Sequence, residues 1–254
     1  MRLAGGGDDR APTLVLVHGF TQTGASWAPV ADRLGPRFQL VMPDAPGHGG
    51  SASVEADLWQ TADLLAAAVP GPAAWAGYSM GGRIALHVAL AHPELVERLV
   101  LISTTAGIEQ EAERRARRSA DEELAARLER QGVDEFLSEW LAQPLFATLA
   151  VERAGLEARL GNTPAGLASS LRLAGVGSQA PLWDRLGELG AHGLPVLLLA
   201  GSMDERYCAH ARRMAEAIGP TARVSLIADA GHACHLERPQ EVAATIQEFC
   251  LPPS

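Results

Sequence analysis

Three short stretches carry residue types that could do chemistry together. The first is Gly77-Tyr78-Ser79-Met80-Gly81-Gly82-Arg83, a G-x-S-x-G pattern between an apolar run, Ala73 to Ala76, and a segment of helical apolar spacing, Ile84 to Ala91. A serine at the apex of a strand–turn–helix elbow is held clear of a sheet, and Gly77 and Gly81 let strand and helix approach each other. A serine hydroxyl at its ordinary pKa is a poor nucleophile or base, so it needs an imidazole beside it and a carboxylate behind that. Gly201-Ser202-Met203-Asp204-Glu205 and Asp229-Ala230-Gly231-His232 supply them. Each follows an apolar run, Pro195 to Ala200 and Val224 to Ala228, so the two loops are expected at the sheet edge that carries Ser79. We assign Ser79, His232 and Asp204 as the catalytic set. Asp229 and Glu205 are the rival carboxylates and His235 the rival base; chain order and strand-end placement favour Asp204 and His232. The remaining histidines lack such a context, and His18 reads as structural.

An anionic intermediate also needs donors. Thr13 to Val17 is a continuous apolar run, typical of a strand covered on both faces, and it ends in His18-Gly19-Phe20-Thr21. The backbone N–H groups of Phe20 and of Met80, the residue after the serine, are the expected oxyanion donors.

The elements that must position these groups alternate. Strands are expected at Thr13–Val17, Phe38–Met42, Ala73–Ala76 and Leu99–Ser103, with a helix from Trp27 to Leu34 capped by Ser26 and another from Asp57 to Val69. This predicts an α/β fold with a doubly wound, mostly parallel sheet. The pattern breaks from Ile108 to about Leu189, where only helical segments occur: Glu109 to Arg130, Val133 to Leu141 and Leu167 to Leu173. We expect residues 1–107 and 191–254 to form one core and residues 108–190 a helical lid over the strand ends, where ligands of such sheets bind. Helices Tyr207 to Ile218 and Pro239 to Cys250 close the fold.

Composition narrows the function. A net charge of −9 argues against a nucleic-acid surface. All 21 basic residues are arginine, which excludes a Schiff-base lysine. The three cysteines, Cys208, Cys234 and Cys250, lack metal-ligand spacing and read as reduced thiols of a cytoplasmic protein. No signal peptide, membrane span, metal site or organic cofactor motif is expected; the oligomeric state is open, and a monomer is compatible with the sequence.

The chain as a whole resembles the α/β-hydrolase superfamily and, more narrowly, the 2-succinyl-6-hydroxy-2,4-cyclohexadiene-1-carboxylate synthases of the menaquinone pathway. Pro46-Gly47-His48-Gly49-Gly50-Ser51 is similar to their PGHGxS loop, and Tyr78 and Arg83 flank the elbow as in those enzymes. In the lid, Glu113 to Asp121 resembles their arginine-rich segment, with Ala116 in place of a common Glu. Trp140 to Phe146 resembles W-x-x-Q-P-x-F, and Arg159 to Asn162 resembles R-x-x-N; Asp204-Glu205-Arg206-Tyr207 departs from D-x-K-[FY] by Arg for Lys. The resemblance implies a lyase that releases pyruvate from a tricarboxylate, with Tyr78, Arg83, Arg117, Trp140, Phe146 and Arg159 as substrate contacts. An esterase or C–C-bond hydrolase using Ser79 as covalent nucleophile is the alternative, and a catalytically inactive binding scaffold is a third reading, disfavoured by the intact set.

Overall fold

The computed structural model describes residues 2–4 and 11–251. Its sheet runs β1 (Arg2–Ala4), β3 (Gln39–Met42), β2 (Thr13–Val17), β4 (Ala73–Tyr78), β5 (Val96–Ile102), β6 (Val196–Gly201) and β7 (Ala222–Ile227). All neighbours are parallel except β1, which pairs antiparallel with β3. The sequence had offered no sign of β1: three residues carry no measurable alternation, and a Gly- and Asp-rich stretch follows them.

Both faces of the sheet's centre are covered, which is why β2, β4 and β6 read as unbroken apolar runs. Val15 and Val17 enter one core with Trp75, Leu99 and Leu101, while Leu14 and Leu16 enter the other with Trp27, Phe38 and Val100. The alternation is the two-residue period of a pleated strand. The helices on the two faces are α1 (Ala28–Leu34), α2 (Leu58–Ala68), α3 (Met80–Ala91), α9 (Glu205–Ile218), α10 (Cys234–Glu237) and α11 (Pro239–Cys250). Ser26 does not cap α1. It lies in a 3-10 turn before α1, and its Oγ accepts from the Thr23 amide at 3.3 Å.

Between β5 and β6 lie α4 (Glu111–Gln131), α5 (Val133–Leu141), α6 (Leu156–Leu160), α7 (Pro164–Ala174) and α8 (Leu186–Ala191), with no strand. Ala125, Leu128, Phe136, Leu167, Ala168 and Leu171 make a small core of this insert's own. Leu182, Trp183, Leu186 and Leu189 belong instead to the sheet's core, so α8 is part of the main body, although the expected lid reached residue 190.

The strand order places the reactive loops side by side. β2 pairs with β4, Val17 opposite Gly77, so the turn after β2 and the elbow after β4 emerge together. β6 pairs with β7, Gly201 opposite Ile227, which brings the Asp204 and His232 loops to the same edge.

Candidate active site

Ser79 has φ 52° and ψ −109°, a conformation that costs a non-glycine residue about 1–3 kcal/mol and persists only where its surroundings dictate it. The surroundings are on view. The Ser79 amide donates to the Ile102 carbonyl (2.8 Å), and the Thr104 hydroxyl donates to the Ser79 carbonyl (2.8 Å). A Cβ at Gly77 would strike the Gly81 carbonyl, and one at Gly81 the Val17 carbonyl; these two positions tolerate only glycine.

His232 Nε2 lies 3.2 Å from Ser79 Oγ, and its Nδ1 lies 2.9 Å from Asp204 Oδ2. Asp204 is the N-cap of α9, and its other oxygen accepts from the Tyr207 amide (3.2 Å). Cap and imidazole thus share one carboxylate, which orients it. Gly231, just before the imidazole, donates its amide to Glu237 Oε2 (2.9 Å). The rivals lie elsewhere. Asp229 makes its amide contact with Ser202 Oγ, and Glu205 sits exposed in the first turn of α9. His235 is buried under Tyr78 at 4.0 Å between rings and meets Gln22 rather than a carboxylate. Burial, and then the charge of Arg159, push its pKa well below the ordinary histidine value. His18 is structural as expected: its Nε2 accepts from the Ala45 amide, and burial lowers its pKa to about 4.

The Met80 amide opens α3, where no intrahelical acceptor exists. In the neighbouring turn, Gln22 N bonds Gly19 O and Gly19 N bonds Gln22 Oε1, leaving the Phe20 amide outside both bonds.

A cavity of about 450 Å³ opens onto Ser79 and His232. Phe20, Tyr78, Met80, Arg83, Arg117, Trp140 and Phe146 all line it. Arg159 does not. The lid places it in α6 beneath the turn after β2, where Nε donates to the Ala154 carbonyl (2.7 Å) and Nη1 to Thr21 Oγ1, so its side chain is fully buried away from the cavity. The third guanidinium on the cavity wall is Arg206, exposed, beside Tyr207. The sequence alone gives neither residue a role; the signal for both is their place two and three residues past Asp204, in the first turn of α9. Tyr207 is one of only two tyrosines, and both pack against His232, at 4.4 Å (Tyr207) and 5.4 Å (Tyr78) between rings.

Among the described residues no aspartate or glutamate lines this cavity, although the chain carries a net charge of −9. Arg83 is 8% exposed, with Nη1 donating to Ala174 O (2.7 Å) and Gln179 Oε1 (3.3 Å) rather than to a carboxylate. Burial pulls its pKa down to about 10. Arg117 is held by Asp121 through Nε at 2.8 Å. A more open groove of about 750 Å³, between α1 and the α10–α11 segment, contains none of these groups. No helix among the described residues is long and apolar enough to cross a membrane, and no cluster of metal-ligating side chains occurs among them.

Sheet, elbow and insert define an α/β hydrolase, and the chain belongs to that family, whose profile matches residues 14–245. Its relatives are narrower than the fold. The chain is 33% identical to 2-succinyl-6-hydroxy-2,4-cyclohexadiene-1-carboxylate synthase of Enterobacter sp. (strain 638), over 94% of this chain and 91% of that one. It is 35% identical to a protein of Bacillus subtilis (strain 168) named provisionally as the same synthase, over 96% and 92%. The solved structure of MenH from S. aureus matches with a TM-score of 0.89 at 29% identity, covering 98% and 96%. A thermophilic esterase from Thermogutta terrifontis matches less well, with a TM-score of 0.74 at 26% identity over 94% and 90%.

Proposed function

We propose that this protein is a carbon–oxygen lyase that converts 2-succinyl-5-enolpyruvyl-6-hydroxy-3-cyclohexene-1-carboxylate into 2-succinyl-6-hydroxy-2,4-cyclohexadiene-1-carboxylate and pyruvate in menaquinone biosynthesis. The observation that carries this reading is the cavity wall, which among the described residues holds three arginines and no carboxylate, with Ser79–His232 at its base. Arginine forks hold carboxylates bidentately, and the substrate brings three of them. Arg83, Arg117 and Arg206 are the cations we assign to it. Tyr78 donates a further hydrogen bond, and Trp140 and Phe146 form the apolar wall.

In this reading Ser79 Oγ, deprotonated toward His232, removes the ring proton alpha to the succinyl ketone. The electron pair forms the double bond next to that carbon, the ring alkene shifts by one position, and the bond to the enolpyruvyl oxygen breaks. The departing enolate takes up a proton and leaves as pyruvate, so substrate and products balance without added water. The Phe20 and Met80 amides hold the enolate oxygen of the succinyl ketone in the transition state, and Asp204 keeps the imidazole in the tautomer that accepts at Nε2. The reading invokes no metal or organic cofactor. Residues 108 to about 181 act as the lid, and buried free thiols at Cys208, Cys234 and Cys250 suit a reducing cytoplasm.

The test is direct. Purified protein is given the enolpyruvyl substrate, and pyruvate is followed with lactate dehydrogenase. Pyruvate release that is lost in Ser79→Ala supports the lyase. Turnover of p-nitrophenyl esters with no pyruvate would establish the hydrolase alternative instead.

A further inference from the structure

The turn that carries the Phe20 amide is held in place by the lid. Thr21, the next residue, is fully buried and has φ 65°, a left-handed conformation that a β-branched residue adopts only under constraint. Gly19 and Gln22 close a four-residue turn whose third residue is Thr21, a position where a positive φ suits glycine and strains a β-branched side chain. The lid adds direct bonds to Thr21 itself. Asn162 Nδ2 donates to the Thr21 carbonyl (2.8 Å) and to the Arg159 carbonyl (2.9 Å), and Arg159 Nη1 donates to the Thr21 hydroxyl. Asn162 Oδ1 accepts from the Gly49 amide (2.9 Å), tying the same side chain to the loop after β3. On the other side of the turn, the Phe20 ring is seated edge-on against two lid aromatics, Trp140 at 5.2 Å and Phe136 at 6.3 Å. Lid groups therefore grip the two consecutive residues on either side of one peptide link.

We propose that Arg159 and Asn162 are positioning residues that hold Thr21 in its left-handed conformation and thereby aim the Phe20 amide at the developing oxyanion, so that the oxyanion hole is complete only while this part of the lid is docked. The inference rests on the role given above to the Phe20 amide and is independent of which substrate the cavity takes. It gives the R-x-x-N segment a purpose that does not involve the ligand. It also explains why Arg159 is buried against backbone instead of facing the cavity.

An uncharged alkyl fluorophosphonate tests it. Ser79 Oγ attacks phosphorus, fluoride leaves, the serine proton passes to His232, and the phosphoryl oxygen occupies the oxyanion hole; the adduct is counted by intact-protein mass spectrometry. Asn162→Ala is expected to slow labelling by at least about tenfold, in line with the weight of a single oxyanion donor. Glycine takes a φ of 65° without strain, so in a Thr21→Gly background the same Asn162→Ala change is expected to cost less than about threefold. Arg159→Met is expected to slow labelling as well, although this probe has no carboxylate for a guanidinium to bind. Circular dichroism melts establish that each variant is folded, and Asn162→Asp, which keeps the acceptor and loses the donor, replaces Asn162→Ala if the latter does not fold. Equal slowing with and without Thr21→Gly, or unchanged labelling of both single variants, would overturn the clamp while leaving the lyase reading intact. Failure of the unaltered protein to label at Ser79 would overturn the clamp together with the catalytic assignment beneath it.

Discussion

Arg83 offers a case in which stability and function should move in opposite directions. Its guanidinium is buried and has no carboxylate partner among the described residues; its Nη1 contacts are the Ala174 carbonyl and the Gln179 amide oxygen. Burial lowers its pKa from 12.5 to about 10, which corresponds to roughly 3 kcal/mol spent on keeping it charged in the folded protein at neutral pH. Arg83→Met has similar reach and removes that cost, but leaves the Ala174 carbonyl and the Gln179 amide oxygen without their donor, a combined loss of about 1.5–3 kcal/mol. The free protein should therefore gain up to about 1.5 kcal/mol, raising its melting temperature by up to about 6 °C for a chain of this size. Loss of a charge-assisted hydrogen bond to a substrate carboxylate costs about 1.5–3 kcal/mol, so kcat/KM should fall roughly 10- to 150-fold. Differential scanning calorimetry and the pyruvate-coupled assay measure the two halves. Tricarballylate, a simple tricarboxylate, should raise the melting temperature of the unaltered protein and do so far less in Arg83→Met. A variant destabilised by more than about 2 kcal/mol with unchanged kcat/KM would show that the guanidinium is a structural prop, and the argument from unpaired charge would fail.

Two further outcomes are expected. Arg206 is exposed, so Arg206→Gln should raise KM by no more than about tenfold, leave kcat unchanged, and matter less in high salt; a large kcat defect would instead place it at the reacting atoms. Acid should destabilise the fold well before the carboxylates titrate. Burial lowers the pKa of His18 and His87 to about 4 and of His48 to about 3, and holds His235 well below the ordinary value. These folded-state values lie below the unfolded value near 6.5, so the unfolded chain binds more protons as pH falls. Stability is then full above about pH 6.5 and declines toward pH 4, with a slope approaching about 1.4 kcal/mol per pH unit for each histidine. Urea midpoints measured from pH 7.5 to 5 check this, and a flat profile over that range would refute it.

Much of the scaffold was legible because the relevant signals are local. Unbroken apolar runs such as Thr13–Val17 mark strands buried on both faces, and Gly77 and Gly81 mark a turn where any Cβ would meet backbone. The order Ser79, Asp204, His232, each just after a strand, is enough to bring the three to one edge of a parallel sheet, and the geometry agrees at 3.2 and 2.9 Å. β1 carries no sequence signal because three residues have no periodicity, and α8 reads as part of the helical insert because its attachment to the sheet's core is a matter of packing.

What the sequence alone determined was the G-x-S-x-G elbow, the two strand-end loops that meet it, the helical insert, and an arginine-rich composition suited to anions. Tertiary structure decided which arginines face the cavity. A guanidinium on a six-atom reach can turn toward ligand or toward backbone, and nothing in residue type or spacing distinguishes the two. Arg83 and Arg117 face the cavity; Arg159 is drawn under the turn after β2 by the Ala154 carbonyl and the Thr21 hydroxyl. Arg206 reaches the cavity wall because Asp204 caps α9 and aims its first turn there. Which charges converge on Ser79 is a property of the folded lid and cap together, since the residues involved are far apart in the chain and meet only through long-range packing.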